Sequence, residues 1–271
     1  MTLNAGLDPG ALRAAYDAQL RAREERTLPA GVTVQRDGPL LRYLGLDSGG
    51  FVTYRDLDGI VGPELDDLIA RQRDLFAARG EKVEWKLHGH DEPADLPDRL
   101  RAAGFEPDET ESVVVGPVAG LAATQPVLPE GVRLREVSAR VDLDRIAGME
   151  AAVWGQDRGW LAESLEKEIA ADPQALTVVV AEAGDEVVCA GWVRYATGTG
   201  FATLWGGSTL PDWRRRGIYR AVVVYRARLA AAREFTYLQV DASDESRPIL
   251  QRLGFVVVTT TTPYVFRPSA G

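Results

Sequence analysis

The chain reads as an α/β protein with a mixed sheet, laid out as two halves on one plan. Three observations predict this. β-patterned runs joined by glycine turns alternate with amphipathic helical runs, a strand–helix–strand order occurs in each half, and short motifs recur from one half to the other. Glycine hairpins pair strands antiparallel, whereas a helical crossover within one sheet pairs them parallel and right-handed, so the sheet must be mixed.

The repeated motifs set the organisation. Leu28-Pro29-Ala30-Gly31-Val32 returns as Leu128-Pro129-Glu130-Gly131-Val132, and Arg101-Ala102-Ala103-Gly104-Phe105 is echoed by Gln251-Arg252-Leu253-Gly254-Phe255. Repetition of this size implies a duplicated domain and not a solenoid. The Gly-, Ala- and Pro-rich stretch 116–129 is the expected join, giving units 1–126 and 127–271.

In the first half, 32–45 reads as a hairpin, 51–55 as a strand, 64–79 as a long helix, 83–88 as a strand and 95–103 as a helix before a β-rich run at 111–115. In the second half, 145–152 and 161–171 are helical. Strands follow at 176–181 and 187–195 around a Gly184-Asp185 turn, then at 201–209, where Gly206-Gly207 marks a bulge or a close backbone approach. After Gly217, Ile218, Ala221, Val222, Tyr225 and Leu229 fall on one helical face. Residues 237–240 form a strand. Ser246 offers an N-cap with Pro248 in the first turn, Gly254 closes that helix, and 256–264 is β-rich.

Composition narrows the function classes. The 271 residues are 45% hydrophobic and 26% charged, as in soluble globular proteins. Net charge is −9: 14 Lys/Arg against 22 Asp/Glu in 1–126 (−8), and 17 against 18 in 127–271 (−1). Such an acidic chain is a poor partner for nucleic acid. No apolar run nears the roughly 20 residues of a membrane span, and the polar N-terminus lacks a signal-peptide pattern, so a cytoplasmic location is expected. The single cysteine, Cys189, rules out an internal disulfide and a cysteine metal cluster. With only His88 and His90 besides, no metal is expected.

Against that acidic background, Arg214-Arg215-Arg216-Gly217-Ile218-Tyr219-Arg220 stands where a strand gives way to a helix. A turn there would aim free N–H groups at one point, with the positive end of the helix behind them. That is an anion site, and a pyrophosphate is its natural occupant. The other reading is a solvated arginine cluster capping an ordinary helix. The matching turn of the first half, Arg55-Asp56-Leu57-Asp58-Gly59-Ile60, carries two carboxylates that would repel a phosphate. The first half is therefore expected to be structural, packing on the second and walling one side of its cleft.

Pro211-Asp212-Trp213-Arg214-Arg215-Arg216-Gly217-Ile218-Tyr219-Arg220-Ala221 resembles the acetyl-CoA motif (Q/R)-x-x-G-x-(G/A) of the GCN5-related N-acetyltransferases. Residues 246–255, ending in Leu253-Gly254-Phe255, resemble that family's last helix. The likeness covers roughly 130–268 with good motifs and 28–118 in outline. It implies two tandem acyl-CoA N-acyltransferase-like domains. Each would be a mixed, mostly antiparallel sheet with a splayed parallel central pair flanked by helices, the first a degenerate copy.

By the same resemblance the co-substrate is acetyl-CoA. Its pyrophosphate would rest on Arg214, Arg215, Arg216, Gly217, Ile218, Tyr219 and Arg220, with Ser246 nearby. Its pantetheine arm would run along the main chain of Gly207, Ser208 and Thr209, where one N–H polarises the thioester. Two departures stand out: Tyr219 replaces the motif's second small residue, and Leu250 replaces a tyrosine that protonates the departing thiolate in many members.

Candidates for proton transfer are Glu150, on the helix bordering the acceptor site, Asp241, at the C-terminal end of a parallel strand, and Tyr264, in the final strand. Their ordinary alternatives are a solvated helix residue, a strand-end carboxylate and a core aromatic. Trp154 and Trp160 flank a turn carrying Asp157, which would suit a cationic or amphipathic amine. Cys189 reads as a small buried hydrophobe. The expected activity is transfer of an acetyl group to a small-molecule or peptide amine, directly, in a ternary complex. The alternative is a non-catalytic CoA-binding or scaffold protein, and monomer and homodimer are both open. Phosphoryl transfer is disfavoured because no Gly-x-x-x-x-Gly-Lys-Ser/Thr loop is present.

Overall fold

The computed structural model describes residues 7–21, 23–24 and 27–268. Helix α1 (Pro9–Gln19) opens the chain, capped by the Asp8 carboxylate, which accepts from the Gly10 N–H. Then come the hairpin β1 (Thr33–Asp37) and β2 (Leu40–Leu44), β3 (Gly50–Thr53), α2 (Gly62–Ala78), β4 (Val83–His88), α3 (Leu96–Ala102), the short β5 (Glu106–Pro107), β6 (Glu111–Pro117) and α4 (Val118–Ala122). The second half contains β7 (Val132–Val137), α5 (Arg140–Trp154), α6 (Gly159–Ala171), β8 (Leu176–Ala183), β9 (Glu186–Tyr195), β10 (Phe201–Thr209), α7 (Ile218–Ala231), β11 (Tyr237–Ala242), α8 (Arg247–Arg252) and β12 (Val256–Phe266).

All twelve strands of the described residues join one mixed sheet, ordered β1-β2-β3-β4-β12-β6-β11-β10-β9-β8-β7, with β5 paired to β12. The crossovers through α2 and α7 make β3–β4 and β10–β11 parallel, and the remaining pairs are antiparallel. The sheet does not divide at the middle of the sequence. β6, from the first half, lies between β11 and β12 of the second. β12 in turn crosses to pair with β4, from Thr261 opposite His88 to Phe266 opposite Val83. Each half thus completes its sheet with the other's last strand.

Alternation along the strands assigns the faces. On one face, α4, α7 and α8 bury Val118, Leu121, Val223, Val224, Leu250 and Leu253 against Ala202, Leu204, Leu238, Val240 and Val114. On the other, α5 and α6 cover β8 and β9 through Leu143, Ile146, Leu161 and Leu165. There too α1 covers the seam, with Leu12 and Tyr16 on Val113, Val115, Phe201 and Val258. α2 and α3 bury Leu65, Ile69, Phe76 and Leu100 against Val83, Trp85 and Tyr264.

Three expectations need correction. The stretch 116–129 is not all linker: its start finishes β6 and forms α4, whose Val118 and Leu121 belong to the core with α7. Helix α1 was not foreseen, although Leu12 and Tyr16, four residues apart, mark its buried face. The buried face of α7 includes Arg226, whereas Tyr225 and Leu229 sit at its margin and line a hollow with Leu128 and Leu134.

Candidate active site

β10 and β11 pair only from Phe201 opposite Tyr237 to Thr203 opposite Gln239. Beyond that point β10 pairs with β9 alone and β11 with β6 alone, so the two parallel strands part. The bulge foreseen at Gly206-Gly207 lies just past the parting. The register with β9 shifts between Gly206 and Ser208, and both glycines take positive φ, 64° and 95°. Glycine adopts such angles without the Cβ penalty.

From Thr209 the chain passes a single 3₁₀ turn (Pro211–Trp213) and enters the arginine turn. Arg215 (φ 62°) and Gly217 (φ 81°) are both left-handed. This winding leaves the main-chain N–H groups of Arg215, Arg216, Gly217, Ile218 and Tyr219 without an acceptor among the described residues. The side chains divide their work. Arg214 Nε turns back to the Thr209 carbonyl (3.1 Å), and the Arg216 guanidinium lies 4.8 Å from the centre of the Trp213 ring. Arg215 and Arg220 are exposed at the mouth of the turn. Beside it a cavity of about 390 Å³ is lined by 124–129 on one side and Arg216, Gly217, Arg220 and Val224 on the other. In the first half the corresponding turn is closed by its own acid: the Asp58 N–H donates to Asp56 Oδ1 at 3.1 Å.

Tyr219 points inward from the first turn of α7. A Cβ built on Gly207 would lie 2.7 Å from Tyr219 Cε2, so the ring packs on the bulge backbone. Its hydroxyl is directed at the Ser246 side chain, and burial raises its pKa. The ring therefore bridges from β10 to the start of α8 across the parting of the strands. Ser246 takes the N-cap position of α8 without a side-chain capping bond; its Oγ instead donates to the Ser243 carbonyl at 3.3 Å.

On the opposite face, α5 delivers Glu150 to β10. It is only 4% exposed, not the solvated helix residue of the ordinary alternative. Its Oε2 accepts from Trp154 Nε1 (2.8 Å) and Ser208 Oγ (2.9 Å), while Oε1 is buried with no partner. Burial raises its pKa, opposed by those two hydrogen bonds. Trp205, the preceding residue on this face of β10, is 44% exposed yet held in place. Its Nε1 donates to Thr203 Oγ1 (2.8 Å), and the Arg194 guanidinium lies 4.4 Å from its ring centre. Trp154 and Trp160 are also exposed, and Asp157 Oδ1 is taken by the Gly159 N–H at the start of α6.

The other candidates lie apart. Asp241 shares the Glu150 face of the sheet, but Lys86 of the first half pairs with its Oδ2 and Gln239 Nε2 donates to Oδ1 (2.8 Å). Nearby, burial and Asp241 push the Glu111 carboxyl up to about 7. Tyr264 is buried in the α2–α3 core, opposite Trp85 on β4 and stacked by Arg101, so the structure does not bring it to the parted strands. The alternation that named it fits a core aromatic. Cys189 is fully buried and its thiol is pushed up to about 11 by burial. His88 bonds the Tyr16 hydroxyl, and His90 bonds Thr259. Among the described residues no three His, Cys, Asp or Glu are grouped to hold a metal ion, and no helix is long and apolar enough to cross a membrane.

Sequence reasoning missed Trp205, Arg226 and Lys86. An arginine four residues after Val222, on the apolar face of α7, was the available signal for Arg226. Nothing in the sequence announced that Lys86 would meet Asp241.

No protein-family model and no curated protein matches the chain. Solved structures do. A GCN5-related N-acetyltransferase from Kribbella flavida is 17% identical, with 100% of this chain and 97% of that one covered at a TM-score of 0.65. A tandem protein of the same fold from the clavulanic acid biosynthesis pathway is 14% identical, covering 99% and 98%, with a TM-score of 0.62. A GCN5-related N-acetyltransferase from Sphaerobacter thermophilus is 14% identical, covering 87% and 83%, with a TM-score of 0.55. The parted parallel strands, the bulge and the arginine turn thus sit in a chain that has, along its whole length, the fold of the GCN5-related N-acetyltransferases.

Proposed function

We propose that this chain is an acyl-CoA-dependent N-acyltransferase, moving an acetyl group from acetyl-CoA directly to an amine in a ternary complex. The observation that carries the reading is the turn at 215–219, with its five unengaged N–H groups beside the parting of β10 and β11. Converging donors at a helix N-terminus suit a pyrophosphate. In this reading 127–271 is the catalytic unit and 1–126 a structural copy whose own turn is sealed by Asp56. The pantetheine arm lies along Gly207, Ser208 and Thr209, which requires the Tyr219 ring to leave Gly207.

The acceptor enters from the α5 face, past Trp154, Trp160 and Trp205. An exposed aromatic surface around a buried carboxylate suits a cationic or amphipathic amine. Glu150, short of partners at Oε1, takes the proton from the ammonium. The freed nitrogen lone pair attacks the thioester carbon, forming the C–N bond. The C=O pair moves onto oxygen and returns as the C–S bond breaks, and the nitrogen's surplus proton passes to the departing thiolate. Asp241, engaged by Lys86 and Gln239, shapes the floor and takes no proton.

Two observations favour the second reading, a scaffold without turnover: Tyr219 covers Gly207, and Leu250 is an apolar core residue. Incubation with acetyl-CoA and a panel of amines, following free thiol, separates the two. Amine-dependent thiol release is expected; binding of acetyl-CoA with no release for any amine would favour the scaffold.

A further inference from the structure

Arg226 is a buried cation in an apolar setting. It is 1% exposed, on the inward face of α7 among valines and alanines. Arginine stays charged in proteins, and a lone buried cation is costly unless something compensates it. Among the described residues no carboxylate pairs with Arg226. It is held by carbonyls alone: Nε donates to Val222 (3.3 Å), and Nη1 to Trp192 (3.1 Å) and Trp205 (2.9 Å).

Its remaining nitrogen, Nη2, has no acceptor among the described residues and lies beside the bulge, 3.8 Å from where a Gly207 Cβ would stand. The ring of Tyr219 covers the same spot. The backbone makes room for the guanidinium, because a Cβ on Gly191 would come within 2.8 Å of Nη1. A buried positive charge with free N–H donors therefore waits behind the stretch of β10 along which the thioester arm runs.

Building on the function proposed above, we propose that Arg226 is a catalytic residue, the charged donor for the thioester carbonyl oxygen. As the amine nitrogen bonds to the carbonyl carbon, the π pair moves onto oxygen and that oxygen accepts from Nη2. When the pair returns and the C–S bond breaks, sulfur leaves with its electrons and Arg226 is released unchanged. A preorganised donor in a water-poor site stabilises this developing charge more than it stabilises the neutral ground state. The main-chain donor at the bulge then acts together with a full positive charge.

The test uses the whole chain and two variants. Arg226→Met keeps the stem and removes the charge, a change tolerated at many buried ionic sites; Arg226→Lys keeps a charge. Acetyl-CoA affinity is measured by calorimetry, folding by thermal melting, and polarisation by the infrared C=O stretch of bound [1-¹³C]acetyl-CoA. Expected are unchanged affinity within about threefold, a carbonyl band at lower wavenumber in the wild type than in Arg226→Met, and a roughly 10²- to 10³-fold loss of kcat in Arg226→Met, partly recovered in Arg226→Lys. Identical carbonyl bands in wild type and a folded Arg226→Met would overturn the role of Arg226 while leaving the acetyl-CoA site standing. Failure of the wild type to bind acetyl-CoA would overturn both. The infrared comparison needs no amine acceptor and no turnover.

Discussion

Replacing Tyr219 by alanine should tighten acetyl-CoA binding, although it removes a partly buried aromatic ring. The ring packs on Gly207 and reaches toward Ser246, so it closes the edge of β10 along which the proposed pantetheine path runs. Moving a side chain of this size out of protein contact costs about 1.5–3 kcal/mol. With 1.4 kcal/mol per tenfold, the closed form exceeds the open one by about 10- to 150-fold, and the measured affinity is reduced by that factor. Tyr219→Ala has no ring to displace, so its Kd for acetyl-CoA should fall about tenfold or more, against a stability loss of about 3 kcal/mol. Tyr219→Phe keeps the ring and should bind nearly as the wild type does. Calorimetric titration of the three proteins, each checked for a cooperative melt, decides the matter. A folded Tyr219→Ala that binds acetyl-CoA no more tightly than wild type would refute the claim that the ring obstructs the cofactor.

Three further outcomes are expected. At Gly217, with φ 81°, asparagine and aspartate share a shape and a tolerance for left-handed backbone, so they differ in charge alone. Gly217→Asp should bind acetyl-CoA about tenfold more weakly than Gly217→Asn, with the gap shrinking as salt rises; equal affinities would show that the turn does not hold the anion. Glu150→Gln should lower kcat by roughly 10²- to 10⁴-fold at unchanged acetyl-CoA affinity. Because burial raises the Glu150 pKa, its base form exists only above that value. Wild-type kcat/KM should therefore fall, as pH drops, at a higher pH than an ordinary glutamate would give. Deprotonating a buried acid with a raised pKa destabilises the fold, so the glutamine variant should melt no lower at neutral pH, and a lower melt would count against this assignment. Finally, residues 127–271 expressed alone lack β6, whose Val113, Val114 and Val115 are wholly buried between β11 and β12. That fragment should be insoluble or without a cooperative melt; a soluble, cooperatively folding fragment would mean that the strand exchange is dispensable.

Much of the local architecture was readable because its causes are local. The strand at 201–209, its glycine bulge and the helix beginning after Gly217 follow from alternation, from the conformational freedom of paired glycines and from helical spacing. The arginine turn was legible to the same depth, since a glycine among arginines just before a helix marks a left-handed turn whose N–H groups have no helical acceptor. Glu150 shows the boundary. A glutamate on a helix reads as solvated from sequence, and its burial comes from the packing of α5 on β10, where Ser208 and Trp154 meet it. Tyr264 shows the converse: a strand aromatic that could have faced the site is committed to the α2–α3 core by its register with Trp85.

The order of the main strands and helices flanking the parted pair, the parallel crossovers and the position of the arginine turn were therefore set by the sequence alone, because each depends on residues within a few positions of one another. Tertiary structure alone decided that the halves exchange their last strands, that Lys86 meets Asp241, that Tyr219 lies over Gly207 and that Arg226 is buried behind the bulge without an acid. Those outcomes depend on which distant surfaces pack together, and burial and charge are fixed only when they do.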